Sequence, residues 1–308
     1  MKKYFYSVSQ FTLLLLAGFA ATFCIAEPIQ KAQFWATGVS TSRATYESLL
    51  AEELLKKTEA EYGPYNFGVN YLQVNYDRGR RVVAEGRVVN FFTNPLPARK
   101  LEIDRELSVI HTPVMHGLLG YRVLIVRKDN LEKFKRIENY SDLQKFKAGQ
   151  VNFWADVPVY EENGLPLVLS SSFESLFFML SRGRFDYIPL SVGEARQTLE
   201  EISTQYDNLV IVPDIVIYYP FPVFFQASKH YPELTVRLRK GMQIAQSDGT
   251  LDKLFNHYFH DVLTELNSEN IRLFRLTNSN LPAGISVREP ELIHTNNIVL
   301  APGVVSIP

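Results

Sequence analysis

Two rhythms of apolar and polar positions alternate along the chain, a short one of strand type and a longer one of helix type. The run 32–37, "AQFWAT", predicts a short strand, and "GVSTSR" after it reads as a turn. Leu49, Leu50, Ala51, Leu54 and Leu55 then lay one apolar stripe along a helix predicted over 44–62. A strand-like run (67–76), a short helix in "RGRRVVAEGR" ending near Gly86, and a strand from Val88 follow, with Asn94-Pro95 as its stop. The second half continues the alternation: a strand from Tyr121, a short helix from Ser141, and a strand from Gly149 that runs into a turn at Asp156. In "SSSFESLFFMLSRGRFDYIPLS", Ser171 stands where it can cap a helix, with Glu174 three residues on in capping-box spacing. Phe173, Leu176, Phe177 and Leu180 share that helix's inner face, Gly183 ends it, and "FDYIPL" carries the chain to Ser191 at a strand end.

Alternation of this kind predicts an α/β fold with a largely parallel sheet and with ligand contacts just beyond the carboxyl ends of strands. Leu209 to Phe225 is apolar enough to resemble a membrane segment, but Pro213, Asp214, Pro220 and Pro222 interrupt it, so it reads as buried strands and a crossing segment. After Phe259, "HDVLTELNSENIRLFRL" predicts a terminal helical segment bracing the first half. Residues 277–308 read as an extended tail in which "IVLAPGVVSI" can add a strand to an edge.

Composition narrows the class. A chain of 308 residues with 46% apolar and 13% aromatic content can bury a large core, in about two lobes. Lysine and arginine number 32 against 33 acids, so no overall positive field draws the chain to nucleic acid or an anionic membrane. Lys2 and Lys3 precede an apolar run from Phe11 to Ile25, shorter than the ~20 residues a span needs, and Cys24 and Ala26 sit where a signal peptidase reads. Residues 1–26 are therefore expected to be a leader, cleaved after Ala26, and the exported chain is periplasmic. Cys24 is the only cysteine, which excludes a disulfide scaffold, a thiol nucleophile and a cysteine metal site from the mature chain.

"GLLGYRVLIVRKDN" (117–130), the stretch with "SRGRFDYIPLS", "VFFQASKHYPEL" (223–234) and "SDGTLDKLFNHYF" (247–259) together resemble family 3 periplasmic solute-binding proteins, over about Phe34 to Phe259. The resemblance implies the type II binding-protein fold: two lobes, a cleft between them, and two crossing segments, near His111 to Tyr121 and near Tyr218 to Val223. It divides the chain into a first lobe (27–120), a second (121–219), a return to the first (220–276) and the tail (277–308).

Amino-acid-binding members hold the ligand carboxylate with an arginine in a Thr-x-x-Arg stretch and a Gly-Thr turn, and the ammonium group with an aspartate at a strand end. By resemblance Arg99 matches the arginine, with Leu96 in the threonine place; Asp156-Val157 falls at the Gly-Thr turn, and Ser191 at the aspartate. An acid at residue 156 repels a carboxylate from a helix start, and an ammonium ion without an acid at 191 would be an unpaired buried charge. The expected ligand is therefore a small organic molecule other than a standard free amino acid. Trp154, Tyr187, Tyr218 and Tyr219 point to a partly apolar, sugar-like or aromatic one.

Arg43 beside the serines of "STSR", Asn94 at its strand end and Ser172 before its helix complete the candidate contacts. Each has a plainer reading: Arg99 as a salt-bridge residue, Arg43 and its serines as a helix start, Asp156 as a cap, Asp186 as structural. Tyr218 and Tyr219 are adjacent in an extended segment, so one faces the core and the other the cleft. Catalytic signals are weak. His257 and His260 share a helix face with no third ligand in view, Glu161 and Glu162 turn to different sides, and "GLLG" reads as a turn or hinge. Neither a nucleophile elbow nor a phosphate-cradling glycine loop is present. The sequence thus predicts a solute-binding protein for an importer, without cofactor or metal, partnered by a membrane permease. A ligand-reporting module for a membrane sensor and a dehydratase-like enzyme on the same fold are the alternatives.

Overall fold

The computed structural model describes residues 29–36, 40–72, 74, 76–96, 102–281 and 297–303. The first lobe opens with β1 (Gln30–Trp35), α1 (Thr41–Lys57), α2 (Glu59–Tyr62), β2 (Tyr65–Asn70), α3 (Tyr76–Glu85), β3 (Phe91–Pro95) and β4 (Leu107–Ile110). The second lobe follows as β5 (Tyr121–Arg127), α4 (Leu131–Lys135), α5 (Tyr140–Leu143), β6 (Ala148–Val151), α6 (Val157–Glu162), β7 (Leu167–Ser170), α7 (Phe173–Ser181), β8 (Tyr187–Ser191), α8 (Val192–Ile202) and β9 (Leu209–Tyr218). The chain then returns through β10 (Val223–Ser228), α9 (Pro232–Ser247) and α10 (Thr250–Leu266), and ends in β11 (Arg272–Arg275) and β12 (Ile298–Leu300).

Two sheets result, a five-stranded one in the order β2-β1-β3-β10-β4 and a seven-stranded one in the order β12-β11-β9-β5-β8-β6-β7. Neither is as parallel as the alternation predicts. β10 runs antiparallel to β3 and β4, and β5 antiparallel to β8 and β9. The physical reason is the crossing: β5 and β10 are entered straight from the other sheet, without the helical crossover that returns a chain to the parallel sense. The crossings touch. The Tyr219 amide donates to the Gly120 carbonyl at 3.3 Å, and a Cβ on Gly120 would stand 2.1 Å from the Tyr219 oxygen, so only glycine lets the two segments approach. Gly117, in left-handed conformation (φ 80°), turns the chain into the first of them.

Local chemistry accounts for the helices that frame the site. Ser40, extended at φ −141°, accepts from the Arg43 amide and starts α1. The far end of α1 is closed by the buried Arg237 of α9, which donates to the Leu55 carbonyl and to Thr58. Helix α7 starts one residue later than expected: Ser172, not Ser171, is the cap, accepting from the Ser175 amide, and Glu174 takes no part in that bond. Asp186 accepts from the Lys147 amide.

The C-terminal segment departs further from expectation. Residues 272–275, anticipated in a helical brace on the first lobe, form β11, which pairs with β9 of the second; "IVL" at 298–300 adds β12 outside it. The chain therefore passes between lobes a third time, after Leu266. Thr277 exchanges two backbone hydrogen bonds with the Asn163 side chain, Ser279 donates to Glu162, and Asn278 donates to the Pro220 carbonyl in the second crossing. No helix among the described residues is long and apolar enough to cross a membrane.

Candidate functional site

The carboxyl end of β8 and the amino end of α1 meet between the lobes. Arg43 and Glu47, one turn apart on α1, are joined by Nε to Oε1 at 2.8 Å, and Thr93 on β3 donates to the other Glu47 oxygen at 2.6 Å. From the second lobe Glu194, in the first turn of α8, reaches Arg43 Nη1 at 3.3 Å. Beside it the Ser42 amide donates to Gln197 at 3.2 Å. Arg43, Glu47 and Glu194 are all buried. One guanidinium thus serves two carboxylates. Burial opposes the Arg43 charge, but Glu47 and Glu194 outweigh it and hold its pKa above the ordinary value. Glu47 is pushed up, by burial first, with Arg43 and Thr93 opposing. Arg43 Nη2 has no hydrogen-bond partner among the described residues.

An aromatic bridge lies near this pair. Tyr76 stacks on Trp35 at 6.3 Å in the first lobe and, nearly parallel at 9°, on Phe153 of the second at 6.5 Å. Asn94 donates to the Tyr76 hydroxyl, and the Arg80 guanidinium lies 5.4 Å above the ring. Burial raises the Tyr76 pKa, against Arg80 and Arg43, so the phenol stays neutral.

Across the cleft, Asp156 corrects two expectations. Its carboxylate makes no cap bond to α6 and does not offer a free charge; it pairs with Arg122 at 3.0 Å and accepts from the Tyr219 hydroxyl at 2.6 Å. Tyr218 and Tyr219 do not divide between core and cleft either. Both are buried, Tyr218 against Tyr121 at 4.4 Å and Tyr219 against Tyr160 of α6 at 5.9 Å, and β11 pairs alongside β9 at Tyr218. Trp154 packs on Phe173 at 6.1 Å, Ser172 is committed to capping α7, and Tyr187 is wholly buried. Ser191 ends β8, fully buried, with its hydroxyl unpaired among the described residues. Arg99 lies outside the described residues. The structure therefore gathers Arg43, Asn94 and Ser191 about the lobe junction and assigns Asp156, Tyr218 and Tyr219 to packing.

Glu47, Glu194, Tyr76 and Phe153 are the residues that sequence reasoning passed over. Glu194, three residues beyond the strand end at Ser191, was the detectable one, since an acid there stands where a cleft contact is expected. No cluster of three or more histidine, cysteine, aspartate or glutamate side chains able to hold a metal occurs among the described residues.

Neither a protein-family model nor any curated protein matches the sequence. Solved structures do match. The amino acid ABC transporter substrate-binding protein AbpA of Streptococcus pneumoniae, bound to L-arginine, aligns with a TM-score of 0.51 and 17% identity over 75% of this chain and 95% of that one. The fold is that of the type II periplasmic binding proteins. A chain from work on glutathione import via GshT and the cystine ABC importer TcyBC of Streptococcus mutans gives 0.50 and 17%, over 76% of this chain and 96% of that one. An ancestral arginine-binding protein bound to glutamine gives 0.50 and 15%, over 75% and 97%. At such identities the likeness shows the type II fold and no ligand.

Proposed function

We propose that the protein is a periplasmic solute-binding protein whose lobes close on a small organic molecule and deliver it to a membrane importer. The observation that carries this reading is the buried Arg43–Glu194 pair, which joins the two lobes at the strand ends where the fold places ligands. Similar structures of proteins that bind arginine and glutamine support the general role.

The ligand differs from a standard free amino acid. Position 191 offers a hydroxyl where an ammonium group needs a carboxylate, and Glu47, Glu194 and Asp156 are each already paired with an arginine. On this reading residues 1–26 are a leader removed after Ala26, residues 27–120 and 220–276 build the first lobe around 121–219, and the partner is a permease. Native mass spectrometry of freshly purified protein is expected to show a small molecule carried with it, and a ligand-induced thermal shift without turnover. Turnover of a screened metabolite overturns the reading in favour of an enzyme on this fold.

A further inference from the structure

The second lobe contains a run of buried polar groups that ends at Ser191, beside the Arg43–Glu194 junction. Gln150 on β6, Tyr160 on α6, and Tyr187 and Ser191 on β8 are buried to within a few per cent, and their side-chain polar atoms find no hydrogen-bond partner among the described residues. Arg122 on β5 leaves its Nε in the same condition. Register puts Arg122, Gln150, Tyr187 and Ser191 on one face of the sheet, which they share with the buried Leu124, Val126 and Ala148. Arg122 pairs with Ser191 and Val126 with Tyr187 across β5 and β8, while Ala148, two residues before Gln150, pairs with Tyr187 across β6 and β8. The opposite face is apolar, since the neighbouring Gly149 lies against the Phe185 ring. Tyr160 of α6 belongs to the same buried cluster as Tyr187, and Asp156, just before α6, holds Arg122.

A buried amide, phenol or hydroxyl left unpaired is costly, so the four neutral side chains in this state, with the Arg122 Nε beside them, call for an occupant that pairs with them. The nature of the groups defines the occupant. Formal charge in the seam is cancelled, Arg122 against Asp156 at 3.0 Å. Burial pushes the Tyr160 and Tyr187 pKa values up, so both phenols stay neutral. What remains is a mixture of neutral donors and acceptors plus one guanidinium N–H, a lining that pairs with hydroxyl or amide groups and leaves any added charge uncompensated. The seam runs from Tyr187 to Ser191 at the end of β8, three residues before Glu194, and so reaches the junction of the lobes.

We propose that this seam between the second sheet and α6, lined by Gln150, Tyr160, Tyr187, Ser191 and Arg122, is a binding subsite for an uncharged hydroxyl- or amide-bearing part of the ligand. The inference rests on the solute-binding reading and deepens it. Its test is crystallographic: crystals of the full mature chain grown separately with acetamide, glycerol, acetate and guanidinium. Acetamide or glycerol within hydrogen-bond distance of Gln150 or Ser191, with both ions excluded, is the expected result. A Gln150→Leu chain, of similar side-chain volume, is expected to keep its fold and lose acetamide. Entry of the ions in preference, ordered water alone in every crystal, or direct pairing of Gln150 with Tyr160 or Tyr187 overturns the proposal, as does acetamide retained by Gln150→Leu. A solute retained in native mass spectra while all four probes stay out overturns the seam alone and leaves the solute-binding reading standing.

Discussion

Arg43 on α1 of the first lobe and Glu194 on α8 of the second, 151 residues apart in sequence, lie 3.3 Å from each other in a buried ion pair. Removing one partner of such a pair strands the other in a poorly solvated place, at a cost of about 3–5 kcal/mol. Arg43→Met is expected to lose stability in that range, because Glu47 and Glu194 both lose their cation. Glu194→Gln is expected to lose less, since Glu47 still pairs with Arg43. In a double-mutant cycle by urea denaturation, the two changes are expected to couple by more than about 0.5 kcal/mol. Simple additivity contradicts the contact.

Glu47 makes stability depend on pH in a definite direction. Its carboxyl pKa is raised in the fold, by burial first and against the pull of Arg43 and Thr93. The folded chain therefore holds this proton more tightly than the unfolded one, whose glutamates titrate near about 4.3. The contribution is fully present below that value and is lost as pH rises through the folded pKa. Urea denaturation of wild type and Glu47→Gln across this window is expected to show wild type losing ground to the variant as pH rises. A difference that grows in wild type's favour contradicts the assignment.

Gly120 is the contact point of the two crossings. In Gly120→Ala the new methyl would meet the Tyr219 carbonyl oxygen, at 2.1 Å in the present backbone, and that oxygen belongs to main chain that cannot swing aside. A loss of about 1–3 kcal/mol is expected, typical of overpacking. An unchanged denaturation midpoint contradicts so close an approach.

The chain beyond Leu276 is fastened by Glu162, the last residue of α6, and by Asn163 just after it. Asn163→Ala removes the amide that both donates to and accepts from the Thr277 backbone. Limited proteolysis after Leu276 is expected to speed up severalfold while α10 and the sheets stay protected. Equal cleavage rates contradict the strap.

Much of the fold was legible in the sequence because it is local. Leu50, Ala51, Leu54 and Leu55 of the predicted stripe gave α1, although Leu49 is exposed and the helix starts at Thr41 and gives way to α2 after Lys57; the apolar run to Ser191 gave β8, and the proline-broken stretch after Leu209 gave β9 and the crossing after it. What was not legible depends on partners distant in sequence. "RLFR" at 272–275 has no strand signal strong enough to override the helical pattern before it; it becomes β11 because β9 offers an open edge. Asp156 reads as a cap until Arg122 and Tyr219 are seen to claim it. Glu194 reads as an acid placed favourably in a helix's first turn, and only the approach of α1 gives it Arg43.

The proposed closure of the lobes can be followed directly. The only cysteine, Cys24, lies in the expected leader, so Arg81→Cys on α3 and Glu174→Cys on α7 place two dyes on exposed positions, one on each lobe. Single-molecule energy transfer is expected to show a predominantly short separation in the chain as purified, and a second, longer one that Glu194→Gln populates. One fixed separation, unchanged by Glu194→Gln and by unfolding, dialysis and refolding to strip any bound solute, contradicts the account.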